Sequence, residues 1–438
     1  MHPTVREIVL QRGGWYRTLA REAQGVVFDF AQDHVWVKGG GAVADFDGSV
    51  QQAIDASIIS FTRATDASRT NASGLIETVA TGLWRREYSP LTLSPLGYLP
   101  EPARTNLCLR SQEFDNASWT KSNATVTADG VVAPDGTTTA DTLVSTSNST
   151  VGASQAITTT AVAHVFSVYA KAGTNTWLRL ATGIASTNAW FNLATGVVGT
   201  KEASVTSSSI QDVGGGWYRC SIVVTMTAAS NTFLIRMATA DLGGTVVNGA
   251  TMPVWGADVA IGSYPTSYIP TTSASVTRNA DVMTVALSKL PFSATAGTLI
   301  GAAQPSPDAA TGGHFLWSVD DGTSNERIYS SALTAGQKER QGAVTDGGAV
   351  QASIQSTVSD INAARFKEAM AWAANDIQYV ANGASIGTDV AATLPTVTTL
   401  RFGLSASGSD ASYFAAPIES VVYLPRRLSA AEMIARTA

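Results

Sequence analysis

The sequence contains few of the residues that metal centres and disulfide scaffolds require. Only two of its 438 residues are cysteines, and only four are histidines. Cys108 and Cys220 are too few for a disulfide framework, so we expect two small buried side chains. The histidines lie far apart in the sequence, and none stands in an H-E-x-x-H or comparable spacing, which argues against a zinc site.

Charged residues are also scarce, at 14% of the chain. The 28 lysines and arginines and the 34 aspartates and glutamates give a net charge of −6, without any basic run. A nucleic-acid-binding surface needs clustered positive charge, so we expect no nucleic-acid partner. No segment approaches the ~18 apolar residues of a membrane helix, so we expect no membrane insertion. The first residues carry Arg6, Glu7 and Arg12 and no apolar core, which is unlike a signal peptide and favours assembly in a cytoplasm.

The chain is rich instead in glycine, with 38 residues, and in short apolar runs bordered by Ser and Thr. Runs such as HVFSVYAKAG, TWLRLAT, AWFNLAT and GWYRCSIVVTMT have the spacing of strands in an antiparallel sandwich. We therefore predict a mainly β protein with two antiparallel β-sandwiches in tandem. Near the C-terminus, Asn382 and Gly383 predict a type I′ hairpin, and Ser429 and Glu432 have the spacing of a helix capping box.

Pro100 and Pro102, in the stretch GYLPEPARTNL, predict a domain boundary. Proline suits neither a helix interior nor a central strand. We divide the chain into residues 1–105, 106–274 and 275–438. The first region has short runs broken by turn residues and little core of its own, so we predict an anchor or adaptor, followed by the two sandwiches.

Three blocks of sequence resemble known proteins. ISFTRATDASRTNASGLIETV, with YSPLTLSPLGYLPEPARTNL, resembles a segment of fibres, spikes and other adsorption proteins of tailed phages and gene transfer particles. NLCLRSQEFDNASWTKSNATVTADG, with FSVYAKAG and VWGADVAIGSYPTSYIPT, is similar to the carbohydrate-binding-module-like jelly roll that follows it in those proteins. RFKEAMAWAANDIQYVANGASIG, with PIESVVYLPRRLSAAEMIA, is similar to concanavalin A-like sandwiches of the laminin G and pentraxin type.

The resemblance implies a virion component that is assembled in the bacterial cytoplasm. Its N-terminal region would dock on other virion proteins, and we take Trp15 and Trp36 there as candidate attachment residues. A binding module with weak individual sites gains avidity when several copies are displayed together. Particle appendages are usually symmetric, so we expect a homo-oligomer and favour a trimer.

Candidate catalytic groups are few. Asp320 and Asp321, in SVDDGTSNER, are the carboxylate pair that we considered for glycoside hydrolysis. Adjacent strand residues point to opposite faces, however, and DDG is typical of a turn. We therefore predict a solvated turn, no catalytic residue, no metal and no cofactor. Calcium at this turn is an alternative, since the resembled sandwich sometimes holds one.

Sugar recognition would leave a different pattern, with aromatic side chains beside hydrogen-bonding residues on an outer sheet face. Strand alternation places Leu178, Leu180, Phe191 and Leu193 inward. The opposite faces then carry five candidate glycan-binding residues. They are Tyr169, Trp177, Arg179, Trp190 and Asn192. The alternative is that these rings pack against a neighbouring domain or subunit.

Together these patterns predict a non-enzymatic virion fibre or spike protein that binds a capsule or envelope polysaccharide of the host and promotes adsorption. Two alternatives stay open. One is a structural decoration or adaptor protein of the particle. The other is a polysaccharide-degrading enzyme, which the lack of a convincing carboxylate pair disfavours.

Overall fold

The protein is described by a computed structural model over residues 25–39, 43–305, 313–332, 339–356, 364–409 and 412–438. Trp15 lies outside the described residues. The described parts are mostly antiparallel β-sheet, which confirms the predicted fold class. None of the helices within these ranges is long and apolar enough to cross a membrane.

The secondary-structure elements have the following bounds. The first strands are β1 Val26–Asp29, β2 His34–Val37, β3 Phe46–Gly48, β4 Ser60–Thr62, β5 Ala67–Thr70, β6 Ile76–Val79, β7 Arg86–Tyr88, β8 Pro95–Tyr98 and β9 Arg104–Asn106. The middle strands are β10 Thr120–Ser122, β11 Ala124–Val131, β12 Ala140–Ser145, β13 Gly152–Thr158, β14 Ala163–Lys171, β15 Trp177–Thr182, β16 Ala189–Asn192, β17 Val197–Lys201, β18 Val205–Asp212, β19 Trp217–Thr225, β20 Ser230–Ala238 and β21 Thr251–Ile261. The last strands are β22 Val276–Arg278, β23 Val282–Ala286, β24 Ala296–Ala303, β25 Phe315–Asp320, β26 Arg327–Ala332, β27 Arg340–Asp346, β28 Ala349–Gln355, β29 Phe366–Ala373, β30 Asp376–Ala381, β31 Ala384–Asp389, β32 Thr399–Phe402 and β33 Ile418–Leu424. The helices are α1 Val50–Asp55 and α2 Ala430–Thr437, with a 3₁₀ turn at Leu287–Lys289.

Residues 107–275 form one sandwich, which we call the inserted sandwich. Sheet I has the strand order β10-β13-β20-β15-β16-β17, and sheet II has the order β11-β12-β21-β14-β19-β18. The chain crosses repeatedly between the two sheets, as in a jelly roll. Alternate residues of both sheets meet in one core, which includes Leu178, Phe191 and both cysteines. Cys108 and Cys220 are buried and unbridged, as predicted.

The inserted sandwich interrupts a second sandwich. β9, where the chain enters it, pairs antiparallel with β22, where the chain leaves it. The second sandwich is built from both flanks, so we call it the discontinuous sandwich. Its sheet III has ten strands, along the path β3-β2-β1-β33-β24-β29-β30-β31 with β8 and β7 beside β33. Its sheet IV has the order β28-β27-β26-β25-β32-β23-β4.

This connectivity differs from the predicted division of the chain at residue 105. β1 pairs with β33 and β4 pairs with β23, so strands of the predicted N-terminal region lie in both sheets of the C-terminal sandwich. Phe28 and Phe61 of these strands belong to its core. Strands that are far apart in the sequence can pair in one sheet, and the sequence does not show which distant strands pair.

Two local predictions near the C-terminus are confirmed. Asn382 and Gly383 have φ angles of 45° and 72°, as the central residues of a type I′ turn require. Ser429 and Glu432 form the predicted capping box at the start of α2. The helix packs against β29, β30 and β31 of sheet III, and Met433 belongs to one hydrophobic cluster with Trp36.

The joint between the sandwiches contains a buried ion-pair network. Arg63 Nη1 lies 2.9 Å from Asp281 Oδ1, and Arg85 Nη2 lies 2.9 Å from Glu101 Oε2. Arg85 also pairs with Asp281, and Arg278 pairs with Glu101. Burial by itself raises the pKa of Glu101, but the adjacent Arg278 and Arg85 outweigh it and lower that pKa to about 2.

Candidate functional site

The outer face of sheet I carries part of the predicted glycan-binding surface. Leu178 and Phe191 are fully buried in the core, as the predicted strand phase requires. Trp177 and Arg179 lie on the opposite face of β15 and are half-buried. Asn192 is half-buried, and its side chain accepts a hydrogen bond from the Ala194 backbone N–H at 2.9 Å, so it stabilises the turn after β16.

Trp190 is not displayed to solvent, contrary to the prediction, and is only 3% exposed. Residues 239–250 form a loop that crosses the face of sheet I above it. The Trp190 indole N–H donates to the Gly243 carbonyl oxygen at 2.7 Å. The Asp241 carboxylate fastens the same loop to β17, since it accepts from the backbone N–H and the hydroxyl of Thr200, each at 2.8 Å. Trp190 therefore anchors a loop.

Tyr169 lies on β14, in sheet II, and is 4% exposed. Its ring packs edge-on against Trp255 and Tyr268, with centroids 5.4 Å and 6.0 Å away. The predicted single platform of five side chains is therefore wrong, because Tyr169 belongs to the other sheet. Face alternation along one strand is readable from sequence, but which sheet a strand joins is not.

A cavity of about 360 Å³ opens at the end of sheet I. Its lining contains hydroxyl, amide and small apolar groups and no charged side chain. Asn175 is buried there, and its amide donates to the Trp177 carbonyl oxygen at 2.7 Å. Val247 is 66% exposed and Asn248 is exposed, so both are accessible from solvent. We call this the end cavity, and its lining residues are Thr174, Asn175, Thr176, Thr239, Val246, Val247, Asn248, Gly249 and Ala250.

The sequence analysis missed the end cavity. The signal for it is the segment VVNGA, where two valines precede an Asn-Gly turn. Val247 is exposed in that turn, and Gly249 has a φ of 81°, which glycine adopts without strain. The lining residues 174–176 lie between β14 and β15 and give no comparable signal.

A second cavity, of about 240 Å³, lies at the joint between the sandwiches. We call it the joint cleft, and among its lining residues are Arg69, Glu87, Tyr88, Glu101, Tyr169, Gln211 and Arg219. Burial raises the pKa of Glu87 to about 7, although the Thr70 backbone N–H donates to its carboxylate at 3.2 Å. The joint cleft thus holds a carboxyl group that titrates near neutral pH.

The remaining predicted candidates take structural positions. Trp36, predicted to attach to a particle, is 6% exposed and packs in a hydrophobic cluster with Val27 and Val422. Asp320 is fully buried and pairs with Arg401 at 3.0 Å, so the expectation of a solvated turn holds only for Asp321, which is exposed. Across the described ranges no group of three or more His, Cys, Asp or Glu side chains is placed to hold a metal ion.

Comparisons with known proteins give only partial similarity. No protein-family model matches the sequence, and no curated protein matches it at a significant level. The CBM40 of the Ruminococcus gnavus IT-sialidase, solved with α2,3-sialyllactose, is 17% identical with a TM-score of 0.29, over 33% of this chain and 84% of that one. The CBM22-1–CBM22-2 tandem domain of Paenibacillus barcinonensis Xyn10C is 11% identical with a TM-score of 0.24, over 73% of this chain and 97% of that one. A heptameric pentraxin of Limulus polyphemus is 12% identical with a TM-score of 0.23, over 33% of this chain and 71% of that one. These scores are below 0.5, so none of the three identifies a family or a ligand for this chain.

Proposed function

We propose that the protein is a non-enzymatic glycan-binding protein whose inserted sandwich holds a saccharide in the end cavity. The observation that carries this proposal is the cavity itself, which is open, about 360 Å³ in volume and lined by uncharged hydrogen-bonding groups beside two valines. Ligand pockets have volumes of about 300–1,000 Å³. A pyranose ring presents hydroxyl groups at its rim and C–H groups on its faces. The threonine and asparagine side chains can bind the hydroxyl groups, and the valines can contact the C–H groups.

The biological setting of this proposal is the surface of a phage or phage-like particle. It is supported by the resemblance of residues 59–79 and 88–107 to phage adsorption proteins. In this role the protein binds a capsule or envelope polysaccharide of the host, contacts other virion proteins and acts as a homo-oligomer, with a trimer favoured. When several weak saccharide sites on one particle bind at once, the particle attaches more tightly than any single site does.

The test is a titration of the full chain against a panel of purified bacterial polysaccharides, with one blocking variant and one matched control. Val247→Trp places a large ring at the mouth of the end cavity, and Val247 is 66% exposed, so the core is untouched. Val197→Trp makes the same change on β17, outside the lining, at a residue that is 56% exposed. We expect Val247→Trp to weaken binding at least tenfold and Val197→Trp to leave it unchanged.

Each other outcome has a definite meaning. If no polysaccharide binds, while the protein still incorporates into particles, the adaptor alternative replaces this proposal. If a polysaccharide binds but Val247→Trp binds it as the wild type does, the saccharide site is not the end cavity.

Glycoside hydrolysis in the joint cleft is a second candidate, because two carboxyl groups with opposed pKa shifts line it. Glu87, with a pKa of about 7, is protonated where a general acid must be, and Glu101, with a pKa of about 2, stays ionised. Against this candidate, Glu101 is 3% exposed and already accepts hydrogen bonds from Ser267 and two arginines. A nucleophile needs free access to the sugar.

Release of reducing ends from the same panel tests this candidate. An enzyme of this kind would release them, Glu87→Gln would abolish the release, and Glu113→Gln, at an exposed residue paired with Arg110, would not. Bound polysaccharide that stays intact rules the candidate out.

A further inference from the structure

Two arginines stand side by side on the outer face of sheet I. Arg179 of β15 and Arg236 of β20 are direct register partners. Their cross-strand row continues with Trp190 on one side and Gly152 on the other. Cβ atoms of such partners lie about 4.5–5.5 Å apart, so the two side chains leave the same face side by side, and the charge of Arg236 acts on Arg179.

This pairing is unfavourable in the protein alone. Like charges directly opposite each other destabilise a sheet. Burial and the neighbouring Arg236 both lower the pKa of Arg179, and burial lowers that of Arg236. Neither arginine side chain makes an ion pair or a hydrogen bond with any residue in the described ranges, and Arg179 Nε is buried without a partner. The carboxylate of Glu202, which acts on Arg179 at longer range, already accepts two hydrogen bonds from Asn188.

The surroundings hold these two side chains in place. The Arg179 guanidinium carbon lies 6.0 Å from the centre of the Trp190 ring, which is itself fixed by the loop. The Arg236 stem lies over Gly152, where a Cβ would come within 3.1 Å of Arg236 Cγ. The next row on the same face contains Ser154 and Leu234. A hydroxyl group and an apolar surface therefore border the arginine pair.

We propose that Arg179 and Arg236 bind the carboxylate of an acidic sugar in the polysaccharide. This proposal rests on the proposed function and specifies the ligand as an acidic polysaccharide. Planar guanidinium groups bind carboxylates through two parallel hydrogen bonds. The carboxylate also removes the repulsion between the arginines. Arg236 is three residues from Thr239 in the lining of the end cavity, or about 10 Å along a strand, so one saccharide chain reaches both places.

The experiment uses the full chain at about 0.15 M salt, where charges more than about 8 Å apart are screened. The probes are polygalacturonate, alginate and hyaluronate, each beside its carboxyl-reduced counterpart. Wild type, Arg179→Gln and Arg236→Gln are compared with Arg110→Gln, which removes the same charge from an exposed pair on the same sandwich. We expect at least one acidic polymer to bind tenfold or more tightly than its reduced form. Either glutamine variant at the pair should lose that preference, and Arg110→Gln should keep it.

Thermal melting separates loss of binding from loss of folding. Removing one of two adjacent like charges leaves the melting temperature of Arg236→Gln equal to or above that of the wild type. The acidic polymer should raise the wild-type melting temperature but not that of the variant.

Three results would overturn the inference. If acidic and reduced polymers bind equally, the arginine pair has no ligand role, although the end cavity still binds sugar. If inorganic sulfate or phosphate at low millimolar concentration displaces the polymer, the site takes anions in general rather than a sugar carboxylate. If neither acidic nor neutral polymers bind, this inference and the proposed function fail together.

Discussion

Thr105 and Thr277 face each other on the two strands that lead into and out of the inserted sandwich, and their hydroxyl oxygens are 2.8 Å apart. The ends of the insert therefore meet in one antiparallel ribbon. Because the insert begins and ends at the same place, we expect it to fold without the rest of the chain. The sandwich that carries the end cavity is a separate module on the discontinuous sandwich.

A fragment of residues 104–278 should therefore fold alone. It keeps both sheets, their shared core and the ribbon that closes its ends. We expect one cooperative transition in urea by circular dichroism. A shorter fragment, 107–275, lacks the ribbon and should unfold at lower urea. A fragment 104–278 without a cooperative transition would show that the joint is part of the folding unit.

Glu101→Gln tests the ion-pair network at the joint. It leaves the buried Arg278 without its ion-pair partner and leaves Arg85 with Asp281 alone, so we expect a loss of about 3–5 kcal/mol in the free energy of unfolding at pH 7. Glu113→Gln, at an exposed pair, should cost less than about 1 kcal/mol.

The same variant has a pH signature. The pKa of Glu101 is about 2 when folded, against about 4.3 for an unfolded glutamate, so folding favours its ionised form. Its contribution is fully present above about pH 4.3 and is lost as the pH falls towards 2. The difference between wild type and Glu101→Gln should shrink over that window. A constant difference would contradict the assignment.

Glu87→Gln should change the stability with pH in the opposite direction to Glu101→Gln. The pKa of Glu87 is raised to about 7, so folding favours its neutral form. As the pH rises from about 4.3 to about 7, the unfolded chain releases this proton while the folded protein keeps it, so the free energy of unfolding falls. Glutamine stays neutral and retains an oxygen for the Thr70 N–H. We expect the variant to be more stable than the wild type at pH 8 and similar to it at pH 4, by urea unfolding. A less stable variant at pH 8 would show that Glu87 is stabilised as a carboxylate.

Trp190 and Trp177 should respond differently to truncation. Trp190 is 3% exposed and bonded to Gly243, so Trp190→Ala should cost about 3–5 kcal/mol. Trp177 is half-buried, and Trp177→Ala should cost clearly less. Trp190→Phe keeps a ring but loses the indole donor, at about 1 kcal/mol. Equal costs for the two alanine variants would mean that the loop does not depend on Trp190.

Local sequence patterns predicted local structure well. The alternation of Leu178 and Arg179, the hairpin at Asn382 and the capping box at Ser429 each depend on neighbours within a few residues. These preferences act through backbone geometry that one short segment determines by itself.

The pairing of distant segments could not be read in this way. β1 and β33 are almost four hundred residues apart, and the sequence of neither strand identifies the other as its pairing partner. The loop that buries Trp190 begins almost fifty residues after it. Arg179 was a candidate from its strand phase, but its partner Arg236 follows only from the register of β15 and β20. The sequence therefore predicted that Trp177 and Arg179 share one face of β15, but it predicted neither the burial of Trp190 nor the pairing of Arg179 with Arg236.

The most direct test of the central claim is amide hydrogen exchange of the full chain with and without an oligosaccharide prepared from the polysaccharide that binds best. The account predicts slower exchange at residues 174–176 and 246–250, which line the end cavity, and no change in the discontinuous sandwich. Protection confined to the joint cleft, or to sheets III and IV, would contradict it.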